Sequence, residues 1–492
     1  MKKRTKLIVA DPRRIPFADR ANIFLQLRPG SNVPLLNGMA YVILRDELYN
    51  EEFIEKYVEN FEGFRHYILS EWDLGRVQRY TGIPGFLIEQ AAYMYAKAKA
   101  ALILWGLGVS EHRSGSYAAM AAANLATLCG FWGRPGCGAM PLRGQNNVQG
   151  ACDMGGLPYV LPGYQSYLSP EVKEKFEKVW GLELTKADGQ TLPKMLESAL
   201  KGDLKGMYLM GYDVATSHGD IGTVFQALER LEFLVCQDIF SPLSAKWAHA
   251  VLPAACVFEK CGTFTNGERR VQLFEKAVEP PGLALPDWQI LTRLAQKLGY
   301  DWGYTSPEDI AIEIGEVWSA WKGITYKRLR LVGLQWPCPD ESHQGTTILF
   351  TNGFPKGKVH LAIARHIEPF ESPTTDKPFI LVTVRRLEHY NIGSMTRRAP
   401  SLMKLSSQPI VDINPQDADA HGILDGSTVK LKNDRGEVVF KARINPRVPR
   451  GYLYTDFHFD TALTNILVSP GLDELMDTPE YKVSAVSIEV LK

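Results

Sequence analysis

No window of these 492 residues is apolar enough for long enough to span a bilayer, and none of the seven cysteines stands in a Cys-x-x-Cys pair. A membrane helix needs about 20 apolar residues, so direct membrane insertion is excluded. Cysteines that are odd in number and scattered from Cys129 to Cys338 exclude a zinc ribbon and argue against a disulfide framework; a reducing compartment fits best. An excess of charge is missing too: 55 Lys plus Arg balance 55 Asp plus Glu. Nucleic acid and anionic membranes are therefore poor candidates for the principal partner, and any charged ligand must be met locally. The basic start, MKKRTKLIVADPRR, has an apolar run only over residues 7–10, too short for a signal peptide. The cytoplasm is the expected compartment.

What is present is an ordinary soluble composition, 45% apolar and 22% charged, at a length that calls for about two to four domains. Residues 6–10 read as a short buried strand cut off by Asp11-Pro12, and residues 23–27 as a second. Pro29-Gly30-Ser31-Asn32 offers a turn and cap before a helical pattern over 34–44; another helix runs from Pro84 to about residue 99, ahead of a strand over 101–105. Such alternation predicts crossover units on parallel sheets, with ligands beyond the carboxyl ends of the strands. The pattern returns at 206–210, 223–230 and 233–236. Residues 298–377 turn irregular. From residue 378, short β-type runs separated by Asp425-Gly426, Asp434-Arg435-Gly436 and Pro449-Arg450-Gly451 read as a small barrel or sandwich. The expected architecture is α/β: Rossmann-like doubly wound parallel-sheet domains at 1–145 and 146–300, a connecting region at 301–377, and a C-terminal β-barrel at 378–492.

The densest polar cluster is PLRGQNNVQGACDMGG, residues 141–156. Carboxamides beside glycine-exposed backbone suit a large ligand with many hydrogen-bonding edges, and the lone Arg143 suits a small carboxylate held by paired N–H bonds. A glycine-rich loop whose amides satisfy its own backbone is the alternative. Asp11 and Asp287, after a strand or before a helix, can accept from a nucleotide base edge, or serve as turn former and helix cap.

RGQNNVQGACDMG, followed by Leu157-Pro158 and Pro162-Gly163-Tyr164-Gln165, closely resembles formate dehydrogenases of the molybdopterin (dimethyl sulfoxide reductase) family. The resemblance runs from LIVADPRR and LQLRPGSNVPLLNGM through LWGLGVSEH, GRPGCG, VCQDIF and GTFTNGERRVQ to TVRRLEHYN, GSMTRR and TPEYK. It implies a bis-molybdopterin guanine dinucleotide with molybdenum or tungsten, and Arg143 as the residue that contacts formate. It implies cofactor contacts at Asp11, Gly30, Asn32, Gly106, Gly108, Glu111, Gln145, Asn146 and Asp287. Gly211, Asp213, Ser217, Gln237 and Asp238 would hold the other half of the paired cofactor, Ser217 being the loosest match. Arg385, His389, Ser394, Thr396, Asn465, Tyr481 and Lys482 would contact pterin from the barrel. A histidine so placed is more often a structural hydrogen-bonder than a metal ligand, so His389 and the Glu111-His112 pair read as cofactor support, and no residue is assigned to the metal.

Family members begin with a segment that binds a [4Fe–4S] cluster and supplies a cysteine or selenocysteine to the metal. Neither occurs before Cys129, which sits in an Ala/Leu-rich helical run where a buried apolar role is expected. The first α/β domain is therefore expected to be N-terminally incomplete, the cluster coming from an N-terminal half or a separate chain, with further electron-transfer subunits as partners. The implied reaction is formate held at Arg143, giving up its hydrogen and two electrons and leaving as carbon dioxide, the electrons passing to that cluster. The rivals are another molybdopterin oxidoreductase, such as a nitrate reductase, and a silent cofactor-binding fragment.

Overall fold

A computed structural model describes residues 5–185 and 189–491; residues 1–4 of the basic start lie outside the described residues. The chain forms two compact units, one of Met1–Met140, Thr216–Val224 and Phe350–Lys492, the other of Pro141–Ala215 and Phe225–Leu349.

In the first unit the two N-terminal apolar runs pair in parallel, Ile8–Ala10 on Ile23–Leu25. The helix Asn32–Arg45 buries Val33, Leu35, Met39, Val42, Ile43 and Leu44. It begins two residues before the sequence pattern does, because Pro34 lies in the first turn, where a missing N–H costs nothing. Three helices that hydrophobic periodicity did not reveal follow: Glu51–Tyr57, Phe61–Glu71 and Leu74–Thr81. Each is too short for a long apolar stripe, but end signals were legible. Asn50 accepts from Phe53 N, Asp73 accepts from Gly75 N and Arg76 N, and the last helix stops at Gly82 in the left-handed region, φ 74°. Their buried faces join Ile88, Leu125, Phe131 and Leu361 in one core. Cys129, just beyond the helix Gly115–Leu128, is buried there, and burial pushes its thiol up to about 12.

The C-terminal part of this unit is a closed six-stranded barrel in the order Phe379–Thr383, Tyr452–Thr455, Ile410–Ile413, Gly436–Ile444, Thr428–Asn433 and Ser484–Val490. Alternation points Val429, Leu431, Val438 and Phe440 inward. The strand Phe379–Thr383 is buried on both faces: Phe379 and Leu381 face the barrel core, while Ile380 and Val382 pack with Val448, Tyr454, Val483 and Ala485. That explains its continuous apolar run, and it fixes Thr383 beside the segment carrying Tyr481 and Lys482.

In the second unit Gly206–Met210, Phe233–Asp238 and Ala250–Pro253 make a parallel sheet with Phe233–Asp238 in the middle. A separate antiparallel sheet joins Gly262–Thr265, Arg270–Phe274 and Leu334–Gln335. Here the structure corrects the irregular reading of 298–377. The helix Pro307–Val317 starts at a capping box of Ser306 and Asp309, and Trp318 and Trp321 are buried with Val271, Leu334 and Cys338. Trp318 and Trp321, with Trp336 packed against them, interrupt the helical period in sequence and are core material in the fold.

Candidate functional site

Arg143 lies exposed in the loop after the strand Gly138–Pro141. Its Nε donates to Gln149 Oε1 at 3.0 Å, and its Nη1 approaches Cys152 Sγ at 4.0 Å. Gln149 is placed by the short helix Val148–Asp153, which opens at Asn147 with φ 58°. Asn147 Oδ1 accepts from Thr265 N at 2.9 Å, tying the loop to the neighbouring hairpin. Gly150 is required there, since a Cβ would stand 2.1 Å from Asn147 Oδ1. Between loop and hairpin lies a cavity of about 410 Å³, lined by Arg143, Gly144, Gln145, Asn146 and Asn147 and across from them by Phe264, Thr265, Asn266, Gly267, Gln272 and Leu273. One cation, several amides and bare backbone thus face a space sized for part of a large polar ligand together with a small anion.

At the carboxyl ends of the parallel strands of this unit, Gly211 N donates to Gln237 O at 2.8 Å, and a Cβ on Gly211 would meet nothing within 4 Å. Gln237 accepts from the Tyr208 hydroxyl and donates to Asp287 Oδ1 at 2.7 Å, and Lys260 pairs with the other oxygen of Asp287. Asp213 accepts from Leu243 N at 2.9 Å and from Ser244 N and Oγ at 3.0 and 2.5 Å. Burial pushes the Asp238 carboxyl up, against the pull of the Ile239 and Phe240 amides. Gly211, Asp213, Gln237 and Asp238 lie together at these strand ends with Asp287, which the sequence did not group with them, whereas Ser217, which it did, belongs to the first unit. Tyr208 and Lys260 were missed, because nothing in their local sequence sets them apart.

Within the first unit seven further candidates form one chain of contacts. Asn32 Nδ2 donates to Gly108 O at 3.2 Å, and the same oxygen lies 3.0 Å from His112 Nε2. Glu111 pairs with Lys482 at 2.9 Å, and Lys482 also donates to Thr383 O at 3.0 Å. The Tyr481 hydroxyl and Asn465 Nδ2 donate to Ser217 O at 3.1 and 3.0 Å. Cβ atoms on Gly106 or Gly108 would meet open space. Ser217 Oγ, Asn465 Oδ1, His112 Nδ1 and His218 Nε2 are buried with no hydrogen-bond partner from the protein. Buried polar atoms are nearly always paired, so these four, with His112 beside Gly108, are positions where a ligand could supply the missing partner.

Other candidates stand apart from that chain. Asp11 accepts from Arg13 N at 2.8 Å, and burial holds its carboxyl above the usual range. Gly30, at φ 87°, could take no Cβ: one would stand 2.7 Å from Pro369 Cγ. His389 uses both ring nitrogens internally, Nδ1 at 3.1 Å from Thr396 Oγ1 and Nε2 at 2.8 Å from Ser406 O. It therefore positions Thr396, rather than presenting a nitrogen to a ligand. Arg385 lies over the Phe457 ring, and Ser394 O accepts from Arg398.

Burial, with the charge of Lys482 second, pulls the His112 imidazole down to about 4 from 6.5. Above pH 6.5 its burial carries no protonation cost. As the pH falls the unfolded ring takes a proton that the folded one refuses, so stability is lost until about pH 4, up to about 3 kcal/mol. Urea unfolding from pH 7 to pH 4.5 will show a shallower loss in His112→Gln than in the wild type; equal slopes would remove His112 as the cause.

The fold defines an α/β protein with a C-terminal β-barrel, and each unit carries polar positions with room for a ligand. Residues 1–297 match the molybdopterin oxidoreductase family model and residues 379–485 match the molydopterin dinucleotide binding domain. The chain is 44% identical over 491 residues to the F420-dependent formate dehydrogenase subunit alpha of Methanocaldococcus jannaschii, covering 99% of this chain and 72% of that one. It is 37% identical to formate dehydrogenase H of Escherichia coli, covering 98% and 68% respectively. Among solved structures, acetylene hydratase from Pelobacter acetylenicus shares the fold with a TM-score of 0.79 at 18% identity, over 98% of this chain and 74% of that one. The chain belongs to the molybdopterin oxidoreductase family, and a molybdopterin cofactor goes with that membership. The orphaned buried atoms, the open glycines and the amide-lined cavity fit such a group.

Proposed function

We propose that this chain carries the formate site of a formate dehydrogenase, oxidising formate to carbon dioxide or running the reverse, on a paired molybdopterin guanine dinucleotide bearing molybdenum or tungsten. The carrying observation is Arg143, exposed beside an amide-lined cavity in a chain so similar to formate dehydrogenase alpha subunits. In this reading the Gly108–Asn32–Glu111–Lys482 group, with Ser217, Asn465 and Tyr481, holds one part of the cofactor. Gly211, Asp213, Gln237, Asp238 and Asp287 hold another, and Asp11, Gly30, Gly106, Gln145, Asn146, Arg385, His389, Ser394 and Thr396 contribute contacts or shape the walls. Spans 1–145 and 146–300 would each carry a cofactor half, 301–377 would connect, and 378–492 would close on the dinucleotide.

When bound, the cofactor supplies the two-electron redox change. Arg143 holds the carboxylate by paired N–H bonds and points the C–H toward the reacting centre. Formate gives carbon dioxide, one proton and two electrons. The electrons would leave for an iron–sulfur cluster on residues other than these and then for partner subunits. No helix among the described residues is long and apolar enough to cross a membrane.

Metal and pterin analysis of the native protein, with sequencing of every co-purifying chain, is the first test, followed by dye reduction with formate and dye oxidation with nitrate. Formate-dependent turnover with molybdenum or tungsten present is expected. Nitrate turnover in its place would assign a different reaction, and bound cofactor with neither activity would leave a silent binding protein.

A further inference from the structure

The Arg143 guanidinium is exposed on a loop, and a long flexible cation in water does not hold one orientation without help. Help comes from behind. Asp153, with no exposed surface, accepts from Trp336 Nε1 on Oδ2 at 2.8 Å, and from the Tyr164 hydroxyl and Gln149 Nε2 on Oδ1 at 2.9 and 2.7 Å. Gln149 Nε2 also lies 3.0 Å from the Tyr164 oxygen. An ionised carboxylate can only accept, so the Gln149 amide must turn its NH₂ to Asp153 and Tyr164, and its carbonyl oxygen to Arg143 Nε, 3.0 Å away.

Building on the formate-site reading of Arg143, we infer that Gln149 and Asp153 are positioning residues for anion recognition: Asp153 fixes which end of the Gln149 amide faces the arginine, and Gln149 holds Nε so that Nη2, with Nη1 once it leaves its long contact to Cys152 Sγ at 4.0 Å, can grip the anion. Engagement at Nε leaves the terminal nitrogens as the fork that meets a planar oxyanion. Trp336 on one oxygen and Tyr164 on the other hold the carboxylate in place independently of Gln149. The part of the chain that binds the anion and the part that aims the binder are thus different, and the second is buried.

The cofactor-loaded protein, with its co-purifying chains, is titrated calorimetrically with nitrate in the absence of reductant, as an inert planar oxyanion, and assayed with formate. Gln149→Met keeps the side-chain length, loses both amide ends and leaves Asp153 with Tyr164 and Trp336. It is expected to weaken nitrate binding and raise the formate KM by about tenfold, with kcat changed by less than about threefold. Asp153→Asn should do the same by letting the amide turn over. The Gln149→Met/Asp153→Asn double variant should be no worse than Gln149→Met alone, which a merely structural role for Asp153 would not produce. Unchanged Kd and KM in Gln149→Met, or additive losses in the double variant, would overturn the inference. Arg143→Lys separates the two levels: if it too leaves Kd and KM unchanged, the formate-site reading fails; if it abolishes nitrate binding while Gln149→Met has no effect, only the positioning role fails.

Discussion

Replacing Arg143 with lysine should lower formate-dependent kcat/KM by roughly 10²–10³-fold, the range seen when one preorganised charge-stabilising donor is removed from an active site. The change keeps the charge, so the loss would measure the fork geometry: lysine offers a point charge on a flexible stem, where arginine offers parallel donors matched to a carboxylate. It should not measure folding. Arg143 is exposed and its side chain contacts Gln149 and Cys152, so the change should move stability by no more than about 0.5 kcal/mol. Metal and pterin content should also hold, since no proposed cofactor contact in the barrel depends on it. A variant within threefold of wild type in kcat/KM, with cofactor intact, would move the substrate cation elsewhere.

That Arg143 stood out in the sequence as a candidate, while the hydrogen-bond network behind it did not, follows from where each residue lies along the chain. The RGQNN run is local: its cation, amides and glycines stand within a few positions of one another, so composition alone made it conspicuous. Asp153 and Tyr164 are inside or near the same stretch, but look like any polar residues of a loop. Trp336, which closes the network on Asp153, comes 183 positions later, from a segment whose prolines and tryptophans conceal its order. Lys260 is similarly ordinary until the fold sets it against Asp287. The barrel was legible because the hairpin Thr428–Asn433 and Gly436–Ile444 turns at Asp434-Arg435 and alternates cleanly. The helices between residues 51 and 81 were not, because segments of 7, 11 and 8 residues present too few turns for a 3.6-residue period to emerge. For the proposed cofactor contacts, strand ends were predictable as places; the pairing of Glu111 with Lys482, 371 positions apart by number, was not.

That pair should also be a sensitive point of the first unit. The two side chains are only 15% and 13% exposed and meet at 2.9 Å, deep enough that leaving one charge behind costs more than losing both. Lys482→Met strands the Glu111 carboxylate, whose only hydrogen-bond or ion-pair partner described here is Lys482, and should cost about 3 kcal/mol at pH 7. Glu111→Gln should cost less, since Lys482 keeps the Thr383 carbonyl at 3.0 Å. The double variant Glu111→Gln/Lys482→Met should recover part of the Lys482→Met loss, because no buried charge is then orphaned. His112 supplies an independent readout. The Lys482 charge is one of the influences holding its imidazole down, so with methionine there the ring takes a proton more readily in the folded state. Lys482→Met should therefore lose less stability than the wild type between pH 6.5 and pH 4.5, even though it starts lower at pH 7. Urea midpoints at the two pH values decide the matter. A Lys482→Met variant as stable as wild type at pH 7, with an unchanged acid slope, would mean that solvent already pays for the Glu111 charge and that the pair is ornamental to the fold.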